Sequence, residues 1–235
     1  LNKFLKDKDN KVTKNNIEDL FLSISKTSQN IMQLRYIDNS GQEIIRVDRQ
    51  YYNDQPTLVK QEQLQNKFDR YYFKYTFQKN KNQIWYSKLD LNVENKKIQI
   101  PHNPVIRVGM PIFSNNKKEG ILIINIFMKD FLDKLNQNPS FNIYLIDKKG
   151  DFIIHPDDNY SWTKYLNKNY QLHDSFPLST NIILHKNEVS TDTFYSNNLN
   201  LDNDENIKMI VQPKFKTIEN TLKEQVDSLL YVLIV

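Results

Sequence analysis

The strongest constraint on the fold is a phrase written twice. Residues 36–48 read YIDNSGQEIIRVD and residues 145–157 read LIDKKGDFIIHPD. In each, an apolar run ends in Ile-Asp, two polar residues lead to a Gly, and a second run carrying Ile-Ile closes on an Asp. Each copy has the pattern of a β-hairpin, because glycine accepts the positive φ that a tight turn between strands requires. Gly150 follows Gly41 by 109 residues, and the same offset carries Asp38 onto Asp147 and Asp48 onto Asp157. Asp-x-x-Gly turns are common, but three features in one ungapped register predict a duplicated α+β unit.

Length and composition agree with a duplication. A chain of 235 residues, 39% of them hydrophobic, holds one large domain or two modules of about 100 residues each. The absence of cysteine excludes disulfides, thiol catalysis and Cys-ligated zinc or iron–sulfur centres. The 32 basic and 28 acidic residues are interspersed, without a block of five like charges, so a nucleic-acid partner is not expected. His102, His155, His173 and His185 show no metal-ligand spacing, and no glycine-rich phosphate loop is present, so neither metal nor cofactor is expected.

Along the chain, Ile17, Leu20, Phe21, Ile24 and Ile31 recur at helical spacing and predict one amphipathic helix over about 13–31. Strands 34–38 and 43–49 follow around the Asn39-Ser40-Gly41 turn. Residues 59–77 read as one or two short helices and Gln83–Ser87 as a strand. NPVIRVGMPIF and EGILIINIF form a second hairpin turning at Asn115–Gly120, and MKDFLDKLNQ closes the module as a helix. The second module opens with strands 142–147 and 152–155; residues 158–190 are polar and irregular, and TDTFYS and IKMIVQP add two strands. From about Lys216 a helix runs into SLLYVLIV, whose last seven residues are apolar: either the opening of a membrane span, which needs about 20 such residues, or a terminal helix packed on the domain. The expected domains are an N-terminal stalk helix (1–31), two modules (32–137 and 138–215) and a C-terminal helix (216–235).

QLRYIDNSGQEIIRVDR, LQNKFDRYYF, SKLDLNVENKKIQIPHNPVIRVGMPIF and GILIINIF, in that order, resemble the double Cache (tandem PAS-like) extracytoplasmic sensor domains of bacterial receptors: histidine kinases, diguanylate cyclases and chemoreceptors. The resemblance is specific over about residues 31–127 and looser through 142–162. It implies an α+β fold in which a long N-terminal helix supports two PAS-like antiparallel-sheet modules in tandem. It also implies a small-molecule ligand in the membrane-distal module and a proximal module that usually binds none.

In amino-acid-binding members, an Arg at a helix end and two nearby aromatics grip the ligand carboxylate; Arg70, Tyr72 and Phe73 stand at the matching positions. The acidic acceptor that such members place on the last distal strand is replaced by Asn125, and the loop before it supplies Leu89 and Asp90 in place of the expected tyrosine and aspartate. A carboxylate-bearing or neutral polar ligand is therefore expected in preference to an ordinary amino acid. Trp85 and Tyr86 suit a lid or pocket wall, or else ordinary sheet packing. Arg107 is a second anion donor if it points inward. Arg35 and Arg46 are read as partners of Asp38, Glu43 or Asp48 in structural ion pairs.

The expected function is that of a non-catalytic sensor on the periplasmic side of an inner-membrane receptor, attached through flanking helices, with a second copy of the chain as a candidate partner in a homodimer. The alternative is a secreted or periplasmic solute-binding protein or a hydrolase without signalling role, although no activated nucleophile or acid–base pair stands out.

Overall fold

A computed structural model describes residues 2–7, 10–94, 97–166, 168–200 and 206–215. The chain divides into two compact units between Lys129 and Asp130. Among the described residues no helix is long and apolar enough to cross a membrane, and the helix expected from Lys216 lies outside them.

The first unit begins with α1 (Asn2–Lys6) and α2 (Lys11–Thr27), the latter capped by Asn10, whose side chain accepts from the backbone N–H groups of Val12 and Thr13. The helix is four residues shorter at its end than its apolar spacing suggests. The Arg49 guanidinium reaches the carbonyls of Ser25 (2.5 Å) and Ser28 (3.2 Å), satisfying acceptors at the helix end. The chain then extends, so Ile31 opens β1 (Ile31–Asp38) instead of closing the helix.

After β1 come β2 (Glu43–Asp48), β3 (Thr57–Leu58), α3 (Tyr71–Gln78), β4 (Trp85–Tyr86), β5 (Asp90–Leu91), and the ribbon β6 (Val93–Glu94) with β7 (Lys97–Ile98). Two long strands finish the unit, β8 (Pro104–Ser114) and β9 (Lys117–Phe127). Their turn is tighter than the sequence suggests: Asn115 and Asn116 take φ of 49° and 62°, a two-residue reversal that asparagine tolerates well, so the strand continues through Gly120. The antiparallel order is β3-β2-β1-β9-β8-β4, with β5 also on β8. One face of this sheet packs Leu34, Tyr36, Ile45, Val47 and Ile112 against Phe4, Leu5, Ile17 and Phe21 of α1 and α2.

The second unit contains α4 (Lys129–Asn136), β10 (Phe141–Ile146), β11 (Phe152–Ile154), α5 (Leu172–Ser175), α6 (Thr180–His185), β12 (Glu188–Ser190), β13 (Tyr195–Asn200) and β14 (Asn206–Pro213). Its sheet order is β11-β10-β14-β13-β12. As in the first unit, the opening strand lies between its hairpin partner and the unit's last strand. The stretch read as irregular, 158–190, holds α5, α6 and β12; their short lengths leave little periodicity to detect.

The two hairpins agree in detail. Tyr36 opposes Ile45 and Ile37 opposes Glu43 across an irregularity; Leu145 opposes Ile154 and Ile146 opposes Phe152 across the same one. Asp38 Oδ1 accepts from the N–H groups of Ser40 and Gln42, and Asp147 Oδ1 from those of Lys149 and Asp151. Gly41 and Gly150 adopt φ of +82° and +85°. The repeated phrase is therefore a repeated structure.

Candidate functional site

The first unit's sheet has a second face, and part of it is polar. Alternation along β1 sends Leu34 and Tyr36 into the helix-covered core and Gln33 and Arg35 to the opposite side. Directly paired residues share a face. Asp48, Gln33, Asn125 and Arg107 are successive partners across β2, β1, β9 and β8, and Arg46 opposes Arg35 two residues along. At 4.7–4.9 Å between strands this row spans about 14 Å. Gln33, Arg35, Asn125 and Arg107 are only 8%, 3%, 2% and 7% exposed. Polar groups buried at this depth are costly unless something pairs with them.

Further along the same face the surface turns apolar, and Ile37, Ile121 and Ile123 receive Tyr72 and Phe73 of α3. That packing holds the first turn of α3 beside the polar row. Between them lies a cavity of about 670 Å³. Its described walls carry the cations Arg35, Arg46, Arg49, Lys67, Arg70 and Arg107, a single carboxylate, Asp48, and a set of side-chain amides that includes Gln33, Asn92, Gln99 and Asn125.

These cations differ in how far they are already satisfied. Arg46 forks onto Asp48 at 2.7 and 2.6 Å and also approaches Glu43 at 3.6 Å. Arg49 donates to four backbone carbonyls, those of Ser25, Ser28, Ile31 and Asp54. Arg35 donates to Asn125 Oδ1 at 2.8 Å and Tyr72 Oη at 3.3 Å, meets Glu43 at 3.5 Å, and leaves its Nε without a partner. Among the described residues, Arg107 reaches neutral acceptors, Tyr71 Oη at 3.2 Å and Asn92 Oδ1 at 3.4 Å. The Arg70 guanidinium lies 5.8 Å from the Tyr72 ring centre, against which Arg35 also lies at 5.1 Å. Among the described residues, no carboxylate forms an ion pair with Arg70 or Arg107.

Arg70, Tyr71 and Tyr72 thus act as a unit: one contributes a guanidinium, and the next two hold Arg107 and Arg35 through their phenol oxygens. Burial pushes the Tyr71 phenol above its usual pKa while the neighbouring Arg107 opposes the shift, so Tyr71 is a neutral phenol at neutral pH. Glu43 links this cluster to the cavity wall, since its Oε2 accepts from the Gln65 N–H at 3.1 Å.

Of the residues singled out from sequence, Arg70, Tyr72, Arg107 and Asn125 lie in the cavity wall. Phe73 is buried in the apolar cluster that seats α3. Trp85 packs edge-on to Tyr71 at 5.9 Å and stacks with Tyr75 at 6.3 Å; Tyr86 is half-buried on β4, and the Asp90 carboxylate accepts from the Leu91 N–H. These last four stand outside the described walls. Sequence reasoning missed Gln33, Tyr71 and Asn92, and it placed Arg35 and Arg46 in ion pairs without placing them on the wall. Both ion pairs exist, with Glu43 and Asp48. The available signal was the alternation of β1, which sets Gln33 and Arg35 on the face that Ile37 continues as core.

Two sheets of matching strand order, one of them roofed by a cavity, are the architecture of tandem PAS-like sensor domains. The model of the bacterial histidine kinase sensor domain family matches residues 1–211, and the chain belongs to that family. It is similar to the extracellular domain of the putative histidine kinase vpHK1S-Z8 (20% identity, 93% of this chain and 81% of that one, TM-score 0.76). It is also similar to a domain of a putative sensory box/GGDEF family protein from Vibrio parahaemolyticus (20% identity, 92% and 83%, TM-score 0.75). A more distant likeness is to the ligand-binding domain of the Campylobacter jejuni chemoreceptor Tlp3 in complex with L-norvaline (15% identity, 86% and 72%, TM-score 0.54). Among curated proteins no sequence match was found.

Proposed function

We propose that the first unit is the membrane-distal, ligand-binding module of a receptor and that its cavity takes a small carboxylate-bearing or polar molecule. The carrying observation is the pair Arg35 and Arg107, buried on a sheet face and pointed into a cavity of about 670 Å³ without a full complement of acceptors. A buried guanidinium is stabilised most by an anion. The flanking segments carry the protein in the membrane, with both units on its periplasmic side and two copies side by side. Ligand binding then selects one packing of the first unit, and its differential affinity for the two arrangements is the signal.

A thermal-shift screen of organic acids, amino acids, amines and nucleobases tests this reading. A ligand at 100 times its Kd stabilises the first unit by about 2.7 kcal/mol. Arg70→Ala is expected to reduce that shift; a hit that survives the substitution unchanged removes Arg70 as an anchor.

A further inference from the structure

We infer that the ligand of the first unit carries at least two negative charges and no ammonium group, the chemistry of a small organic dicarboxylate. This deepens the proposed function and rests on the cavity being the ligand site.

Three features carry it. The first is charge: six cations face the cavity, and the carboxylates that reach them are Asp48, held by Arg46, and Glu43, shared between Arg35 and Arg46. Among the described residues, Arg70 and Arg107 meet no carboxylate, and Arg49 meets backbone carbonyls. Six cations against Asp48 and Glu43 leave a surplus of four positive charges, of which a ligand with two carboxylates offsets two and one with a single carboxylate offsets one, and two carboxylates give Arg70 and Arg107 one each.

The second feature is the orientation of Asn125. Arg35 can only donate, so the Asn125 oxygen must face it at 2.8 Å, and the Asn125 nitrogen donates to Gln33 Oε1 at 2.8 Å. The nitrogen end cannot accept from an ammonium, and the oxygen's remaining lone pair lies beside the Arg35 guanidinium, which repels one.

The third feature is spacing. The Arg35 and Arg70 guanidinium carbons lie 5.1 and 5.8 Å from one ring centre, so they are within about 11 Å of each other. A guanidinium–carboxylate pair holds its two carbons roughly 4 Å apart. A short chain with a carboxylate at each end can bridge them, while Arg107, fixed by Tyr71 and Asn92, serves a second oxygen of the same ligand.

The test is calorimetric titration of the purified chain with linear dicarboxylates from malonate to adipate. Each is paired with its monoamide and, where one exists, its α-amino analogue; inorganic phosphate serves as a compact dianion control. The best dicarboxylate is expected to bind at least tenfold more tightly than its monoamide and its amino analogue, and to weaken as salt is raised. Arg107→Gln, with near-UV circular dichroism confirming the fold, is expected to narrow the gap between dicarboxylate and monoamide. Equal or tighter binding of a monoamide, a monocarboxylate or an amino acid, lost in Arg107→Gln, overturns the dianion while leaving the cavity as the site. Binding of a dicarboxylate unaffected by both Arg35→Gln and Arg107→Gln overturns the site itself. Tighter binding of phosphate than of every dicarboxylate, or no binding in the series at millimolar concentration, also overturns the inference.

Discussion

The two copies of the hairpin share backbone register, turn and capping aspartate, yet three side chains have changed character between them. At the offset of 109, Arg35 corresponds to Tyr144, Glu43 to Phe152 and Arg46 to His155. In the first unit these positions form a charged chain along a cavity. In the second they are rings in contact, with centroids 5.9 Å apart for Tyr144–Phe152, 5.1 Å for Tyr144–His155 and 4.9 Å for Phe152–His155. Leu172, Phe176 and Ile183 complete that cluster. One scaffold therefore supports either a cluster of rings or a charged chain at these three positions.

Phe152→Ala should break the packed side most severely. Removing a buried aromatic ring costs about 3–5 kcal/mol, read as a lower urea midpoint with loss of near-UV signal. A smaller effect is expected from the exchange Arg35→Tyr, Glu43→Phe and Arg46→His made together, which gives the first unit the second unit's residues. Replacing a buried ionic cluster with apolar groups is neutral or stabilising by about 1–4 kcal/mol, so unliganded stability should hold while calorimetric ligand binding disappears. Retained binding would mean that the cluster is not what distinguishes the units.

The glycines sharpen the comparison on a finer scale. Gly41→Ala and Gly150→Ala each place a side chain in the left-handed region, at about 1–2 kcal/mol. The new Cβ at 41 would stand 2.6 Å from Phe68 Cα, against 3.1 Å from Leu172 Cβ at 150, so Gly41→Ala should lower the melting temperature more.

The smallest effect expected is one of pH and belongs to the second unit. His155 Nδ1 accepts from the Asp157 N–H at 3.0 Å, Nε2 faces Ser175 Oγ at 3.2 Å, and the rings of Tyr144, Phe152, Tyr160 and Tyr170 surround it. Burial lowers its pKa, and the Asp157 carbonyl and carboxylate oppose that only in part. The folded state thus binds this proton less readily than the unfolded chain. The corresponding stability is fully present above the ordinary histidine value of about 6.5 and is lost as pH falls through the lower folded value. Thermal melts between pH 7 and 5 should show this decline, and His155→Phe should flatten it. In the first unit the equivalent position is Arg46, which does not titrate in that range, so its response by this route is nil.

Much of the fold was legible because it rests on local signals. The Asp-x-x-Gly turns, the apolar runs of β8 and β9 and the stripe of α2 each announce themselves within a dozen residues. The end of α2 was not legible, because the group that satisfies its last carbonyls, Arg49, arrives from beyond β2. Within the site, Arg70 and Tyr72 were found through the resemblance to double Cache domains, which expects the Arg where a helix ends, whereas Arg70 stands at the N-cap position of α3. Arg35 looked like a partner for nearby acids, which it is, and nothing local revealed that its Nη2 meets Asn125, ninety residues away.

The sequence by itself determined that the chain holds two related hairpin-based modules, since the same turn chemistry and strand alternation recur at one offset. Only the tertiary structure decided that the first module holds a cavity walled by cations. That property depends on β1, β8 and β9 lying side by side and on α3 resting at one end of their shared face, so that guanidinium groups distant in sequence are gathered around one space and left short of anions.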